Sequence, residues 1–507
     1  MEFNRSKLMV ASFLTLIASG FGFATRAAAG YDWGEAFSIG GLQFGAIMGA
    51  GFLGFGLMIF FGGILVEKFG YKTLLLLAFL LHILSAVMLL VAPSMFVGWR
   101  EADAASASVK IYGLLFYSAF VFSIAQGLYE AVINPLISDL YPENKTHYLN
   151  ILHAGWPGGM ILGGIFAACF MGKDPWIMHL PWQYAMSAFG IFVIAYAVMA
   201  FPEKFPATAS ARTQNFAQTF ACFASWPFLL LIVLHGLVGY MELGVDSWMA
   251  KLMENVLPNA ILILVYTSAL MFILRFFAGP IVHKINPIGL LFASSIIACL
   301  GLLWLGSDMT SVAMVFAAAT FYSFGKAFLW PTMLAVAGER YPMSGAVAMG
   351  ALGAAGMLTV GQIGGATIGA QQGYHTSQHL AETAPETFER YAGGDKKHFA
   401  YEYRELAGDR FAAASATEVV DGKVKDTGSF VNSELLEPEV GATLAANAAT
   451  DVPAVKESYL FGSRRALQLT AYIPGAMAVG YLILLIYYKL IGGYKVLNAD
   501  GTVAESH

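Results

Sequence analysis

Twelve long apolar segments constrain this chain more than any other feature of its sequence. Each has roughly 20 mainly apolar residues, the length that an α-helix needs to cross the hydrocarbon core of a membrane. The 507 residues are 58% hydrophobic and only 12% charged, whereas a soluble domain averages about 25% charged residues. The sequence therefore predicts an all-α membrane protein with twelve transmembrane helices. They lie at 7–29, 41–65, 72–93, 111–138, 148–171, 182–201, 225–252, 259–282, 288–306, 311–337, 344–371 and 465–490.

The polar connectors and an internal repeat divide these segments into two groups of six. The connector PEKFPATASARTQN at 202–215 follows the sixth segment, and residues 57–75 align without gaps with residues 273–291. Parallel repeats of this kind build transporters from two pseudo-symmetric halves. We expect an N-terminal six-helix bundle at 1–201, a cytoplasmic linker at 202–224, a C-terminal six-helix bundle at 225–372 and 461–507, and an extracytoplasmic loop insertion at 373–460.

Lysine and arginine residues in the short connectors set the expected orientation, because cytoplasmic loops carry an excess of them. Arg5, Lys68, Lys204 and Lys489 all fall on the side of the two termini. We predict an integral, multi-pass protein of the bacterial inner (plasma) membrane with both termini in the cytoplasm.

The segment 373–460 is too long for a tight turn and is polar and net acidic. Residues 379–416 could form amphipathic or solvated helix, and VGATLAANAATDVPAVKES at 440–458 is expected to be flexible. Two roles stay open for the segment: a surface insertion, or a lid or partner-binding element.

A loop motif, GGILVEKFGYK at 62–72, joins the second and third segments. Its Gly63, Glu67, Gly70 and Lys72 resemble the loop signature of the major facilitator superfamily, and the resemblance implies the fold of that superfamily. Gly63 would let two helices approach closely, and Gly70 suits a tight reversal. Glu67 can accept hydrogen bonds from neighbouring helix ends and so lock one conformation. We expect these four residues to act in gating.

The fourth and fifth segments carry a second motif, YEAVINPLISDLYPENKTHYLN at 129–150. Its Glu130, Asn134-Pro135 and Leu149-Asn150 resemble, in this order, the fucose–proton symporter family. The resemblance implies proton-coupled transport of a sugar.

The seventh segment resembles the same family, because Val238-Gly239 stands shortly before Glu242. The chain departs from that family at two positions. Arg26 is the only charge in the first segment, where the family has an acid, and Trp156 stands where the family has an asparagine.

Ionisable residues inside the membrane are costly and usually mark a proton or substrate path. In the implied fold, helices one, four, seven and ten line a central cavity, and these helices carry Arg26, Glu130, Glu242 with Asp246, and Lys326. Because buried charges need partners, we predict two ion pairs, Arg26 with Glu130 and Glu242 with Lys326. Asp246 is nearer the helix end and is expected to be solvated.

Each of these charges has two possible roles. Glu130 is our candidate for the proton-coupling acid, with Arg26 as its partner; the alternative is a static ion pair between them. Glu242 is a candidate for substrate binding or gating, or else a structural partner of Lys326. Arg275 is expected near a cytoplasmic end, where it would snorkel or pair at a gate.

Sugar sites combine polar groups with a flat aromatic face. His153 could relay protons or simply be a hydrogen-bonded core histidine, and the tryptophans could be packing residues. The candidates for substrate binding are Glu242, Lys326, Asn134, Asn150, His153, Trp156, Gln126, Trp330 and Gln362.

The function predicted from these features is secondary active transport: proton-coupled symport of a sugar or a similar small polar solute. An organic-anion exchanger for uronate-like solutes, with Arg26 and Lys326 as the clamp, is an alternative. A transporter-like receptor or sensor that uses 373–460 is another. The sequence has no nucleotide-binding loop, metal cluster or nucleophile–base pair, so we predict no enzyme activity and no cofactor. We expect a monomer whose partners are the solute, protons and the lipid bilayer, with no nucleic acid.

Overall fold

The computed structural model describes residues 3–37, 39, 41–172, 175–213, 215–252, 261–309, 311–431, 436–498 and 502–504. Helices make up nearly all of the apolar sequence. In the first half they are α1 (Arg5–Ala28), α2 (Gly30–Phe37), α3 (Gly41–Phe69), α4 (Tyr71–Ala102), α5 (Ala104–Leu140), α6 (Lys145–Phe170), α7 (Trp182–Ser187), α8 (Gly190–Ala200) and α9 (Ala209–Thr213).

The second half begins with a 3-10 helix at Phe216–Ala224 and contains two π-helical segments, Tyr240–Gly244 and Val360–Gly364. Its apolar helices are α10 (Trp226–Gly239), α11 (Val245–Leu252), α12 (Ile261–Arg275), α13 (Ala278–Leu305), α14 (Val312–Lys326), α15 (Leu329–Arg340), α16 (Gly345–Thr359) and α17 (Gly365–Thr383). The chain then continues through α18 (Pro385–Tyr391), β1 (Ala392–His398), β2 (Tyr401–Leu406), α19 (Gly408–Ala416), β3 (Val419–Val420), β4 (Lys423–Val424), α20 (Gly428–Val431), α21 (Pro438–Thr470) and α22 (Tyr472–Leu490).

Within the described residues, eleven helices are long and apolar enough to cross a membrane, and one shorter apolar helix ends at Arg275. The predicted eighth segment, 259–282, begins outside the described residues, and the structure divides the rest of it between α12 and α13. The prediction of an all-helical, multi-pass architecture is therefore confirmed.

The two copies of the internal repeat reverse the chain at equivalent positions. Gly70 separates α3 from α4 with φ +82°. Asn286, which aligns with Gly70 in the repeat, interrupts α13 with φ 56° and ψ 167°. Asparagine is among the few residues other than glycine that tolerate positive φ. The second copy of the motif thus keeps the backbone turn although its sequence differs.

Helices α3 and α16 pack along the boundary between the two halves. A Cβ atom at Gly350 would lie 2.6 Å from the carbonyl oxygen of Ile59, so the glycine permits this close approach. Gly45 and Gly49, nearer the start of α3, have no atom within 4 Å of an added Cβ. The glycines of α3 are therefore closely packed toward the end of the helix, as at Gly63, and have open space beside them near its start, at Gly45 and Gly49.

The described residues of the polar segment 373–460 are folded, which corrects the expectation that 440–458 is flexible. Those residues belong to α21, which passes almost directly into α22, and the two form a helical run of 53 residues. At 1.5 Å per residue such a run is about 80 Å long, far more than the ~30 Å hydrocarbon core of a bilayer. The predicted last helix, 465–490, covers only its final part. A second, separate hydrophobic core joins α17, α21 and the elements between them, with Leu380, Tyr391, Phe430 and Leu444 buried.

Within this folded segment, an ion pair joins α18 to α21. Asp451 is fully buried and accepts hydrogen bonds from the Thr387 hydroxyl at 2.7 Å and from Arg390 Nη2 and Nε at 2.7 and 2.8 Å. Hydrogen bonding to Asp451 raises the pKa of the Arg390 guanidinium. Because these donors satisfy the buried carboxylate of Asp451, the ion pair can hold α18 in a fixed position against α21.

Candidate functional site

A cavity with an empty volume of about 670 Å³ lies between the two halves. Helices α1, α3, α5 and α6 of the first half and, in the second half, the π-helical turn Tyr240–Gly244 with α11, α12, α15 and α16 supply its walls. Its polar lining is carboxylates, one guanidinium, one imidazole and one hydroxyl, and its apolar lining is largely aromatic. These residues are Phe23, Phe52, Phe55, Glu130, His153, Trp156, Met160, Glu242, Leu243, Asp246, Ser247, Leu264, Arg275, Trp330 and Met357.

Glu130 lines this cavity from α5 and is 4% exposed. Its Oε2 atom lies 3.5 Å from the side-chain nitrogen of Asn134, one helical turn further on. The Asn134 side-chain oxygen is 2.9 Å from Nε2 of His153 in α6. In the described part of the chain, no cation lies within 4.0 Å of the Glu130 carboxylate. Glu130 is therefore a buried acid held by an amide rather than by a salt bridge.

The second half contributes two buried ion pairs, and their partners differ from those predicted. Glu242 Oε1 accepts a hydrogen bond from Arg275 Nη2 at 3.0 Å, and Asp246 Oδ1 accepts one from Lys326 Nζ at 2.5 Å. The predicted Glu242–Lys326 pair is therefore wrong, as is the prediction of a solvated Asp246, which is only 8% exposed. Which acid meets which cation depends on how far along the bundle axis each side chain lies on its own helix. A single sequence does not give these axial positions.

A π-helical turn carries Glu242. It spans Tyr240–Gly244 and lies against the second π-helical turn, Val360–Gly364, where Gly364 packs against Tyr240. Such turns are rare and often occur at functional sites. The Glu242 Oε2 atom is buried and has no hydrogen-bond partner in the part of the chain that the structure describes. A buried acceptor left unsatisfied costs about 1–3 kcal/mol, so a ligand hydroxyl in the cavity would find a free acceptor here.

Arg275 joins the halves at the centre of the molecule rather than at a membrane surface. The side chain is 2% exposed, and its Nη1 donates to the backbone carbonyl of His153, across the boundary, at 2.5 Å. Its Nε donates to the carbonyl of Ala327 at 2.8 Å. The expected snorkelling position is wrong because the helix resumes at Ala278 and reverses only at Asn286, about three turns beyond Arg275.

Arg26 lies in a second cavity and does not form the predicted pair with Glu130. Its guanidinium stacks 3.6 Å above the Phe122 ring and donates to the Gly22 carbonyl at 3.0 Å and to the Ser85 hydroxyl at 3.2 Å. No described carboxylate lies within 4.0 Å of it. The sequence identified a buried charge correctly and assigned it the wrong neighbour.

The remaining predicted substrate residues divide by position. Trp156 and Trp330 line the central cavity, and Gln126 lines the cavity of Arg26. Asn134 and Lys326 lie behind the walls, as partners of lining residues. Gln362 is exposed and lines neither cavity.

Sequence reasoning missed the aromatic wall formed by Phe23, Phe52 and Phe55. Phe23 packs against Phe52 and Trp156 with ring centroids 6.3 and 5.8 Å apart. No signal separates these phenylalanines from the other 36 of the chain's 39, because apolar residues face lipid, core and cavity alike.

The two halves are joined at the end of the bundle where both chain termini lie. We call this end of the bundle the termini end. Glu67 Oε1 accepts from the backbone N–H of Ala346 at 2.9 Å and Oε2 from that of Ser210 at 2.8 Å, so one side chain caps α16 and α9. A Cβ atom at Gly63 would lie 2.5 Å from the Ala346 carbonyl oxygen. These are the hydrogen bonds to helix ends that the motif predicts, and the gating role itself stays a prediction. Lys72 is exposed and only approaches a linker carbonyl, at 3.4 Å.

Further hydrogen bonds cross the boundary between this end and the cavity. The Thr146 hydroxyl donates to Glu339 Oε1 at 2.7 Å, and the Asn150 side-chain nitrogen donates to the Thr332 hydroxyl at 3.1 Å. Asn150, a predicted substrate residue, therefore lies in the closed layer below the cavity.

Substituting Glu67→Ala should open the termini end. The change removes two charge-assisted hydrogen bonds of about 1.5–3 kcal/mol each, and we expect the conformational equilibrium to shift by at least about tenfold. Spin labels at the exposed positions Lys68 and Lys284, in a background without the three cysteines, should show a longer distance population.

Glu203→Ala is the matched control, because the Glu203 side chain, at the start of the linker, pairs with Lys7 of the first half at 2.7 Å and makes no contact with the second half in the described chain. It should leave the distance distribution unchanged. An unchanged distribution in Glu67→Ala would contradict a locking role for this residue.

Comparison with known proteins places the chain among membrane transporters. The family model for the Major Facilitator Superfamily matches residues 9–366. Among solved structures, the proton:xylose symporter XylE bound to 6-bromo-6-deoxy-D-glucose has a TM-score of 0.62 at 13% identity, over 75% of this chain and 90% of that one. FucP in the outward conformation has a TM-score of 0.56 at 18% identity, over 72% and 91%. The human organic anion transporter MFSD10 (TETRAN) has a TM-score of 0.55 at 14% identity, over 95% and 100%. No curated protein sequence matches the chain.

Proposed function

Because the chain belongs to the Major Facilitator Superfamily, we propose that this transporter is a proton-coupled symporter of a sugar or a similar small polar organic solute. It would work by alternating access with twelve transmembrane helices in two six-helix bundles. We place both termini in the cytoplasm of a bacterial inner membrane and expect the transporter to act as a monomer.

The observation that carries the proposal is a buried carboxylate at the centre of the molecule that no described cation pairs with. Glu130 lines the cavity between the halves, and within the described chain its hydrogen-bond partner is the Asn134 amide. Burial away from water favours the neutral form of a carboxyl group, and access to water or a cation favours the charged form. A rocking motion that changes the surroundings of Glu130 would therefore load and release one proton in each cycle.

Arg275 is the group that would sense this change. It holds Glu242 and the backbone of His153 at the same time, and His153 is connected to Glu130 through Asn134. Movement of the halves must break or rearrange the contact between Arg275 and His153. The protonation of Glu130 is in this way coupled to the relative position of the two bundles.

The character of the solute follows from the lining. Glu242 Oε2, which has no hydrogen-bond partner among the described residues, can accept a hydrogen bond from a solute hydroxyl, and Trp156, Trp330 and the phenylalanine wall offer flat faces for a sugar ring. XylE and FucP, with which the chain shares its fold, are proton symporters of xylose and fucose. Both facts favour a hydroxyl-rich solute of monosaccharide size.

An organic-anion exchanger is the second candidate. Arg26 has no carboxylate partner among the described residues, and MFSD10 is an organic anion transporter of similar fold. Counterflow that needs no proton gradient would favour this alternative.

Proteoliposomes with the purified full-length chain test the proposal. A thermal-shift screen against neutral sugars, uronates, nucleosides and amino acids selects the solute, and uptake is then measured with an inward proton gradient. We expect accumulation that collapses when a protonophore is added. Accumulation that is unaffected by the protonophore would contradict proton coupling.

A further inference from the structure

A second cavity, of about 410 Å³ empty volume, adjoins the central one and contains Arg26. The two cavities share Phe23, Phe52, Phe55, Trp156 and Met357 as walls, so one elongated solute could occupy both. Gln126 and Ser123 add polar groups on the side of Arg26.

Arg26 differs from the other two buried cations of this region in what compensates its charge. Arg275 pairs with Glu242, and Lys326 pairs with Asp246. Arg26, 4% exposed, has a ring face, one carbonyl and one hydroxyl as its neighbours, and no anion among the residues that the structure describes. A buried charge without a counter-charge leaves several kcal/mol of desolvation uncompensated, and a stacked aromatic ring returns about 2 kcal/mol of it.

The guanidinium also retains hydrogen-bonding capacity. It has five N–H donors in a planar fork, and described residues accept from two of its nitrogens, Nη1 and Nη2. The fork matches a carboxylate, which it binds through two parallel hydrogen bonds.

We infer that the transported solute carries one carboxylate and that Arg26 binds it, which makes the substrate class a sugar acid such as a hexuronate or an aldonate. This inference rests on the proposed function. The carboxylate would occupy the cavity of Arg26, while the hydroxyls of the solute extend toward Glu242 in the central cavity.

Charge balance supports the same class. When Glu130 holds its proton, the ionised groups of the two cavities and their partners are three cations, Arg26, Arg275 and Lys326, and two anions, Glu242 and Asp246. One monocarboxylate neutralises this set, whereas a neutral sugar leaves one positive charge buried. A proton and a monoanion that enter together would also move no net charge.

Binding of D-glucuronate and D-glucuronamide to the purified full-length protein tests the inference directly. The two molecules differ only in the charge and donor pattern of one group. The unaltered protein should bind the acid at least about tenfold more tightly than the amide, the difference expected between a charge-assisted and a neutral contact. D-galacturonate and D-galactose form a second matched pair.

Substitution of Arg26 identifies the residue responsible. Arg26→Gln should weaken glucuronate binding at least about tenfold and change glucuronamide binding by less than about twofold, and Arg26→Lys should restore part of the difference. Arg465→Gln, on an exposed face of α21, is the control and should bind both molecules as the unaltered protein does. If Arg26→Gln does not fold, the comparison of acid and amide on the unaltered protein decides alone.

Equal binding of acid and amide by the unaltered protein, or an unchanged preference in Arg26→Gln, would overturn the inference. So would binding of neither pair. Proton-driven accumulation of a neutral sugar with no binding of acids would overturn it and leave the proposed function standing. Acid uptake that depends on Arg26 but needs no proton would support it and contradict the proposed coupling.

Discussion

Glu130→Gln is expected to abolish proton-driven accumulation of the solute and to leave solute exchange intact. Glutamine has the shape of a protonated glutamate and can keep the contact with Asn134, which is 3.5 Å from Oε2, but it cannot release a proton. A gradient of one pH unit supplies about 1.4 kcal/mol, enough for roughly tenfold accumulation by one-to-one symport. The variant should stop at an accumulation ratio of about one, since nothing couples it to the gradient.

Two transport assays on the same proteoliposomes make this test specific. Gradient-driven uptake should fall to equilibration, and counterflow with solute on both sides should continue. Glu143→Gln is the control, because Glu143 is an exposed acid that pairs with Arg5 on the surface of the termini end. Full gradient-driven uptake by Glu130→Gln would show that this acid is not the coupling group.

Arg275→Gln is expected to cost the most stability of any substitution in the cavity and to stop transport. The change leaves Glu242 buried without its cation and removes the donor to the carbonyls of His153 and Ala327. Removal of one partner of a buried ion pair typically costs about 3–5 kcal/mol. Chemical unfolding in detergent should show a loss of this size.

The double variant Arg275→Gln with Glu242→Gln separates two contributions to the lost stability: the unpaired buried charge of Glu242 and the loss of the other contacts of Arg275. Without the stranded carboxylate, at least about half of the lost stability should return, while transport stays absent because the link between the halves is gone. Arg5→Gln is the surface control and should change stability by less than about 1 kcal/mol. A loss below about 1 kcal/mol in Arg275→Gln, or a double variant no more stable than the single one, would contradict this account.

The motif around Gly63, Glu67 and Gly70 could be interpreted partly from sequence. The positive φ of Gly70 is a local property of the turn. The resemblance of the motif indicated that Glu67 caps helix ends, but the structure alone identifies those ends as Ser210 and Ala346, 143 and 279 positions away. The gapless repeat even identified Asn286 as the equivalent of Gly70.

Buried charges could be located but not paired. Arg26, Glu130, Glu242, Asp246 and Lys326 are all in helices predicted to face the cavity. Their partners depend on how each helix is rotated about its axis and shifted along it. The π-helical turn at Tyr240–Gly244 changes both the rotation and the axial position of the residues that follow it, Asp246 included. Arg275, assigned to a helix end, proved to be central because α13 continues the span.

The polar segment 373–460 shows the same limit in another form. Its alanine-rich stretch at 440–458 has little intrinsic apolar pattern, and as an isolated sequence it suggested a flexible loop. In the structure it is helical because α17 and the elements around Asp451 and Phe430 cover one of its faces.

The sequence alone determined that the chain crosses a membrane repeatedly, in two related halves, with a few charges inside, because apolar length and repeat are properties of consecutive residues. Tertiary structure alone decided which of those charges meet and, among the described residues, which acid lies beside a cavity without a cation and which cation lacks an anion. Those outcomes depend on contacts between different helices, such as Glu242 with Arg275 and Asp246 with Lys326, and the packing of whole helices against one another sets the geometry of these contacts.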